Sequence, residues 1–290
     1  MAHAHHVASQ PYGILLILVL TAALYARGWL QLRSVVIPAW RAASFLLGLI
    51  LIWVAVASPV AGFVHKLLTA HMIQHLLLMT FAAPLIWLGE PLMAFVQGLP
   101  RSVREGMAAL LLRPSMQRFG KAITHPAVCW LGATGTLVGW HIPALLAVGM
   151  ESPTWHAIMK ASFLVTGLLF WWPVVQPWPT LKEPKWWVVV YLFLATLPCD
   201  TLSGFLVFCD RVVYPGYQSA SHPFGLFPLE DQQFAGALMW TVVTVIYFIV
   251  GGIITARLLS PQRSQQNWIA QQRPVGSAAP LTARQRMETV

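Results

Sequence analysis

Charge is what this sequence most conspicuously lacks. Of its 290 residues only 9% are Asp, Glu, Lys or Arg, against roughly 25% in an ordinary soluble domain. The scarcity runs the whole length of the chain, so no water-facing globular surface can be assembled from it, and a single membrane domain is the economical reading. Cysteine is scarce too: Cys129, Cys199 and Cys209 all fall inside apolar stretches and form no CxxC pair, which removes a disulfide framework from consideration. Alternating apolar–polar segments of roughly ten residues, the mark of a lipid-facing strand, are missing, and this favours helices over a barrel. Met1–Gln10 contains no Lys or Arg and no small-residue cleavage site follows the first apolar run, so no cleaved leader is expected. There is no internal repeat.

What the chain does have is apolar length. With 57% hydrophobic residues, it divides into seven stretches close to the roughly 20 residues that cross a bilayer. They are Tyr12–Leu32, Trp40–Val60, Thr69–Leu88, Pro126–Met150, Trp155–Trp178, Trp186–Phe208 and Gln233–Leu259. Arg27 and Gly28 interrupt the first, and Arg27 has to reach back to the interface. Trp29, Trp40, Trp87, Trp155, Trp178, Trp186 and Trp187 fall at the proposed ends, as interfacial aromatics do. The predicted fold is therefore an all-α integral membrane protein, a bundle of seven transmembrane helices over residues 12–259. A His-rich tail (1–11) precedes it, and a basic tail rich in Gln, Pro and Ala (260–290), expected to be disordered, follows.

The formal charge of +9 is a topology signal and not a nucleic-acid footprint, because the basic residues occupy the short connections. Arg27, Arg33 and Arg41 follow the first span, Arg101, Arg104, Arg113, Arg118 and Lys121 the third, and Lys182 and Lys185 the fifth. Arg257, Arg263, Arg273, Arg284 and Arg286 end the chain, whereas the other side has only Lys66, Lys160 and Arg211. The positive-inside rule then predicts an extracytoplasmic N-terminus and a cytoplasmic C-terminus. The long connection 91–123 mixes apolar and basic residues and is expected to include a helix lying on the cytoplasmic interface.

On this topology nine of the ten histidines face the outer side, His125 being the exception. His3, His5 and His6 are in the tail, where they offer loose metal capture, and His65 and His222 are in outer loops. At 1.5 Å per residue, His75 lies about 9 Å below the outer boundary, His141 about 13 Å and Asp200 about 12 Å, one layer within the error of the boundaries. His71 and His75 are i, i+4, so both imidazoles project from one helix face a turn apart. His156 lies above the layer, and Met79, Cys199 and Met239 lie at it or just below. An isolated intramembrane histidine more often hydrogen-bonds a neighbouring helix, and an isolated methionine more often packs. A histidine pair with a third imidazole and a carboxylate at like depth points instead to a metal. Imidazole with thioether and thiolate suits copper, Cu(I) above all, and imidazole alone also suits zinc. Asp200 needs a cation, a proton or a donor. Asp231 and Gln232 fit as caps of the seventh helix.

Several segments in order resemble the CtaG-type cytochrome c oxidase assembly factors. They are His71-Met-Ile-Gln-His75 with the apolar run to Pro84, Gly139-Trp-His-Ile-Pro143, and His156 leading to Phe170-Trp-Trp-Pro173. Tyr214-Pro-Gly-Tyr217 and Asp231-Gln-Gln-Phe-Ala-Gly-Ala-Leu-Met-Trp240 complete the series. The resemblance implies a seven-helix protein of the bacterial plasma membrane that supports copper delivery to the extracytoplasmic copper centre of a haem–copper oxidase. It maps the family's motifs onto His71, His75, His141, His156, Asp231 and Met239, and the residue reading adds Met79 and Asp200. The expected partners are the oxidase subunit carrying the copper centre, a periplasmic copper chaperone and the lipid bilayer, with a homodimer left open. The alternatives are an intramembrane zinc hydrolase built on three histidines and an aspartate with a metal-activated water, and a haem or quinol protein using His75 and His141.

Overall fold

In the computed structural model, residues 3–175, 186–218 and 225–260 are described. Among them the chain is helical throughout. Its helices are α1 (His3–Val36), α2 (Ala39–Ala57), α3 (Leu68–Leu76), α4 (Ala83–Leu88), α5 (Pro91–Gly98), α6 (Arg101–Leu111) and α7 (Pro114–Ile123). After them come α8 (Pro126–His141), α9 (Pro143–Glu151), α10 (Pro153–Val175), α11 (Trp186–Phe208), α12 (Pro215–Gln218) and α13 (Pro228–Leu259). Prolines punctuate this order. Pro91, Pro114, Pro126, Pro143, Pro153, Pro215 and Pro228 each open a helix, where the missing N–H would be unsatisfied in any case. Lys182, Lys185, Trp178, His222 and the tail beyond Ser260 lie outside the described residues.

Among the described residues six helical segments are long and apolar enough to span a bilayer: Tyr12–Leu32, Ala39–Phe63, Leu68–Leu88, Pro153–Val175, Trp186–Phe208 and Pro228–Leu259. The predicted fourth span, Pro126–Met150, is not one straight rod. It is α8 followed by α9, bent by 82° between His141 and Pro143, so the count reaches seven when the bent pair is one span. The bend has a local cause. Ile142 precedes a proline, which disfavours the helical conformation, and it is extended at φ −68°, ψ 124°. The N-terminal segment expected as a tail continues α1 back to His3. The helix runs on through Pro11 and Gly13.

A second irregularity falls in the third span, where a π-helical turn, Leu77–Ala82, separates α3 from α4. Pro84 lacks an N–H and its ring crowds the carbonyl four residues back, so the ladder widens ahead of it. The loosened backbone is used. Trp171 of α10 donates its indole N–H to the Met79 carbonyl at 3.0 Å, and α10 comes so close at Gly167 that an added Cβ would lie 2.9 Å from the Met79 Cα.

Lipid is as apolar as leucine, so helix association in a bilayer rests on close packing and not on water exclusion. Two packing centres result. One holds α1, α2 and α5 against the π turn, around Tyr25, Phe45 and Leu78. Gly28 and Gly98 make it feasible, since an added Cβ at Gly28 would stand 1.7 Å from the Ala94 carbonyl oxygen. The larger centre gathers α3 and α8 to α13 around Met159, Phe163, Phe170, Trp171 and Leu206. Between α5 and α8, helices α6 and α7 and the turn joining them carry Arg101, Arg104, Arg113, Arg118 and Lys121 beside exposed Val103, Leu111, Leu112 and Phe119. This is the amphipathic pattern of an interfacial segment.

Candidate metal-binding cavity

The first half of the third span supplies the central histidines, and its starting point is fixed from far away in sequence. Leu68 and Thr69 donate their backbone N–H groups to the Asp231 carboxylate at 2.5 and 3.1 Å, and the Thr69 hydroxyl donates to the Asp231 carbonyl. A carboxylate at a helix N-terminus satisfies orphan donors and complements the helix dipole. Asp231 thus caps α3 and not its own α13, whose first turn is capped through Glu230. Its neighbour Gln232 accepts from the Val213 N–H at 2.7 Å and donates to the Leu206 and Arg211 carbonyls, tying the connection after α11 to α11 and α13.

With α3 set, His71 and His75 face the interior, 1% and 5% exposed, their Nε2 atoms 2.6 Å apart. One proton can lie between the two nitrogens. Both Nδ1 atoms are buried without a hydrogen-bond partner, a costly state for a polar atom. His75 also lies against the Phe163 ring, centroids 3.8 Å apart. Gln74, a turn along from His71, is buried beside it. Its amide nitrogen donates to the Ala55 carbonyl of α2 at 2.5 Å, and its oxygen meets His156 Nε2 at 3.2 Å. An amide oxygen only accepts, so His156 donates from Nε2 and keeps its lone pair on Nδ1.

The same reasoning fixes His141. Its Nδ1 lies 2.6 Å from the Leu137 carbonyl oxygen, an acceptor, so Nδ1 holds the proton and Nε2 carries the lone pair. That lone pair faces the Met72 sulfur at 3.3 Å. Two electron-pair donors thus point at each other inside the protein. Beside them is a small space of about 40 Å³ with Met72, His75, Met79, His141, Cys199 and Met239 in its wall. It is large enough for a single ion or water.

Of the expected site residues, the structure therefore brings His75, His141, Met79 and Met239 to one cavity, with His71 and His156 stacked outward of it, ring centroids 6.2 Å apart. The two aspartates are elsewhere. Asp200 sits on the same helix as Cys199 but is turned to α13, where it accepts from the Thr244 hydroxyl at 3.3 Å, and Asp231 is engaged by the start of α3. Among the described residues no three of His, Cys, Asp and Glu are arranged to hold a metal between them, so a metal placed here would have to draw on thioether sulfur as well. Cys129, Cys199 and Cys209 are free thiols, and α11 runs unbroken through Pro198, which keeps Cys199 and Cys209 apart.

Sequence reading takes Met72 for an ordinary packing residue and passes over Gln74 and the roles of Tyr214 and Tyr217. Met72 was hidden by its ordinariness, although its place inside the His71–His75 pair was a signal. The tyrosines act as clamps: Tyr214 donates to the His141 carbonyl at 3.0 Å and Tyr217 to the Val64 carbonyl at 2.8 Å. Burial raises the pKa of both phenols, with the Asp231 carboxylate adding to the rise at Tyr217, so both remain donors. In the loop between α2 and α3, burial and then the Lys160 ammonium hold the exposed His65 imidazole below its ordinary pKa, leaving it neutral at pH 7.

Fold and cavity together define a polytopic helical membrane protein with an imidazole–thioether pocket among its helices. The chain belongs to the cytochrome c oxidase caa3 assembly factor (Caa3_CtaG) family, which it matches over residues 23–260. It is also similar, at 22% identity, to uncharacterized proteins of Mycobacterium bovis and Mycobacterium tuberculosis over 80% of its length, and of Mycobacterium leprae over 78%. The chain spans only about a third of those relatives, 36%, 36% and 35% respectively. No solved structure matches it.

Proposed function

We propose that this protein binds copper as Cu(I) and supports its insertion into the extracytoplasmic copper centre of a haem–copper cytochrome c oxidase. The proposal includes residence in the bacterial plasma membrane with the N-terminus outside. One observation carries it: the His141 Nε2 lone pair and the Met72 sulfur face each other at 3.3 Å with no proton to share. Two such donors repel unless a cation joins them, and nitrogen with thioether sulfur is a soft set that favours Cu(I) over Zn(II). Cys199, Met79 and Met239 extend that set around the same cavity. The carboxylates a zinc hydrolase would use are turned away from it. Membership of an oxidase assembly family supports an oxidase as the destination of the metal, and the charge asymmetry of the connections supports the orientation.

The test uses the full chain in lipid nanodiscs and a chelator competition for Cu(I). Met72→Leu conserves volume and should cost the fold less than about 1.5 kcal/mol, yet it removes a sulfur donor. Its Cu(I) affinity should fall by about tenfold or more, as should that of His75→Ala. His125→Ala, at the far end of α8 from His141, should bind as wild type. Cells carrying Met72→Leu at limiting copper should contain oxidase that lacks its extracytoplasmic copper. Unchanged affinity in both cavity variants, or a protein that takes zinc and rejects Cu(I), overturns the reading.

A further inference from the structure

His65 has no part in the cavity and no structural duty that explains it. It lies in the short connection between α2 and α3, exposed, on a backbone that is held firmly. The Lys66 and Leu67 N–H groups both donate to the Phe63 carbonyl, at 2.9 and 2.8 Å. Val64, next to it, is fully buried, and its carbonyl is clamped by the Tyr217 hydroxyl. The imidazole is thus presented on a fixed turn. Its ring meets the His156 ring edge-on, centroids 5.1 Å apart.

From there the imidazoles continue inward without a gap. His156 stacks with His71 at 6.2 Å and an interplanar angle of 19°, and His71 meets His75 at 4.2 Å. His75 is in the cavity wall. Only the first member is exposed: His65 is at the surface, whereas His156, His71 and His75 are all buried, at 6%, 1% and 5%. A metal ion bound only by buried donors needs a route through the protein. A line of ligands at such spacings lets it pass by exchange, each new bond forming before the last breaks, so that the bare ion never meets hydrocarbon.

We propose that His65 is the outer acceptor of an imidazole relay, His65 to His156 to His71 to His75, that takes Cu(I) from the extracytoplasmic surface to the cavity. The relay rests on the cavity being the copper site. Passage is ligand exchange alone: copper stays Cu(I), no electron is transferred, and the neutral imidazoles exchange nitrogen–copper bonds. His156 enters with its Nδ1 lone pair, since its Nε2 proton is held by Gln74. His65 governs the rate of loading, whereas the cavity donors govern the affinity.

The experiment follows Cu(I) transfer from a coloured bicinchoninate complex to the full chain in nanodiscs by stopped-flow absorbance. His65→Ala should slow loading by about tenfold while leaving final stoichiometry and Kd at wild-type values. His65→Met, which restores a soft donor on the same turn, should recover most of the rate, which a purely structural role for His65 does not predict. Lys66→Ala, a neighbour on the same turn, should load as wild type. If wild type takes up no Cu(I), the cavity reading and the relay fall together. If wild type loads normally and His65→Ala loads equally fast, or His65→Met stays as slow as His65→Ala, the relay alone is overturned.

Discussion

The cap that Asp231 places on α3 makes a demand that separates a structural carboxylate from a ligand. Asp231 is 3% exposed and receives two backbone N–H groups, from Leu68 and Thr69, 163 and 162 residues away in sequence. Asp231→Ala leaves both donors buried without an acceptor. At about 1–3 kcal/mol for each orphaned group, the loss is about 2–6 kcal/mol, a large part of a typical folding free energy. Asp231→Asn keeps one oxygen to accept but loses the charge that favours the helix N-terminus, for about 1–2 kcal/mol. Both losses should appear in metal-free protein, as a lowered midpoint of unfolding in mild detergent. Since α3 keeps its place in Asp231→Asn, Cu(I) affinity should stay within about twofold of wild type. A metal ligand would give the reverse: affinity lost, and metal-free stability unchanged or raised by removing a buried charge. Metal-free Asp231→Ala with a wild-type midpoint would refute the capping role.

Two further outcomes follow from contacts already described. Gly28→Leu drives a side chain into the Ala94 carbonyl, 1.7 Å from where its Cβ would lie, so α1 should fail to dock on α5. Limited proteolysis should then cut the α1–α2 connection, whereas Gly132→Ala, which meets nothing within 4 Å, should resist as wild type does. Tyr214→Phe removes the donor to the His141 carbonyl and should cost about 0.5–1.5 kcal/mol in thermal unfolding, with a measurable loss of Cu(I) affinity because His141 ends the helix that the tyrosine fixes. An unchanged affinity would mean that His141 is held by its Leu137 bond alone.

What the sequence made legible and what it concealed divide along a physical line. Features governed by neighbours in the chain were readable. The spans Tyr12–Leu32 and Trp186–Phe208 fall where apolar length alone puts them, and the four-residue spacing of His71 and His75 placed both rings on one face. The bend after His141 was also local: the proline at 143 makes Ile142 extended, which turns a helix interior into a helix end. His141 is therefore the last residue of α8, its Nε2 free to face Met72, and a depth counted along an unbroken rod does not apply to it. The widened turn before Pro84, which frees the Met79 carbonyl for Trp171, has a local cause too, although the third span reads in sequence as one regular helix. Features governed by distant partners were not readable. In sequence Asp200 is an intramembrane carboxylate in need of a cation, a proton or a donor, and Asp231 a cap of its own helix; nothing nearby reveals that a Thr244 hydroxyl meets the first and that the second caps α3 instead. Buried charge creates the same demand whether a metal, a hydroxyl or a helix end satisfies it. The residue types around His75 are a firmer guide than the aspartates, because thioethers answer no such demand. They become informative when a lone pair already faces one, as His141 faces Met72.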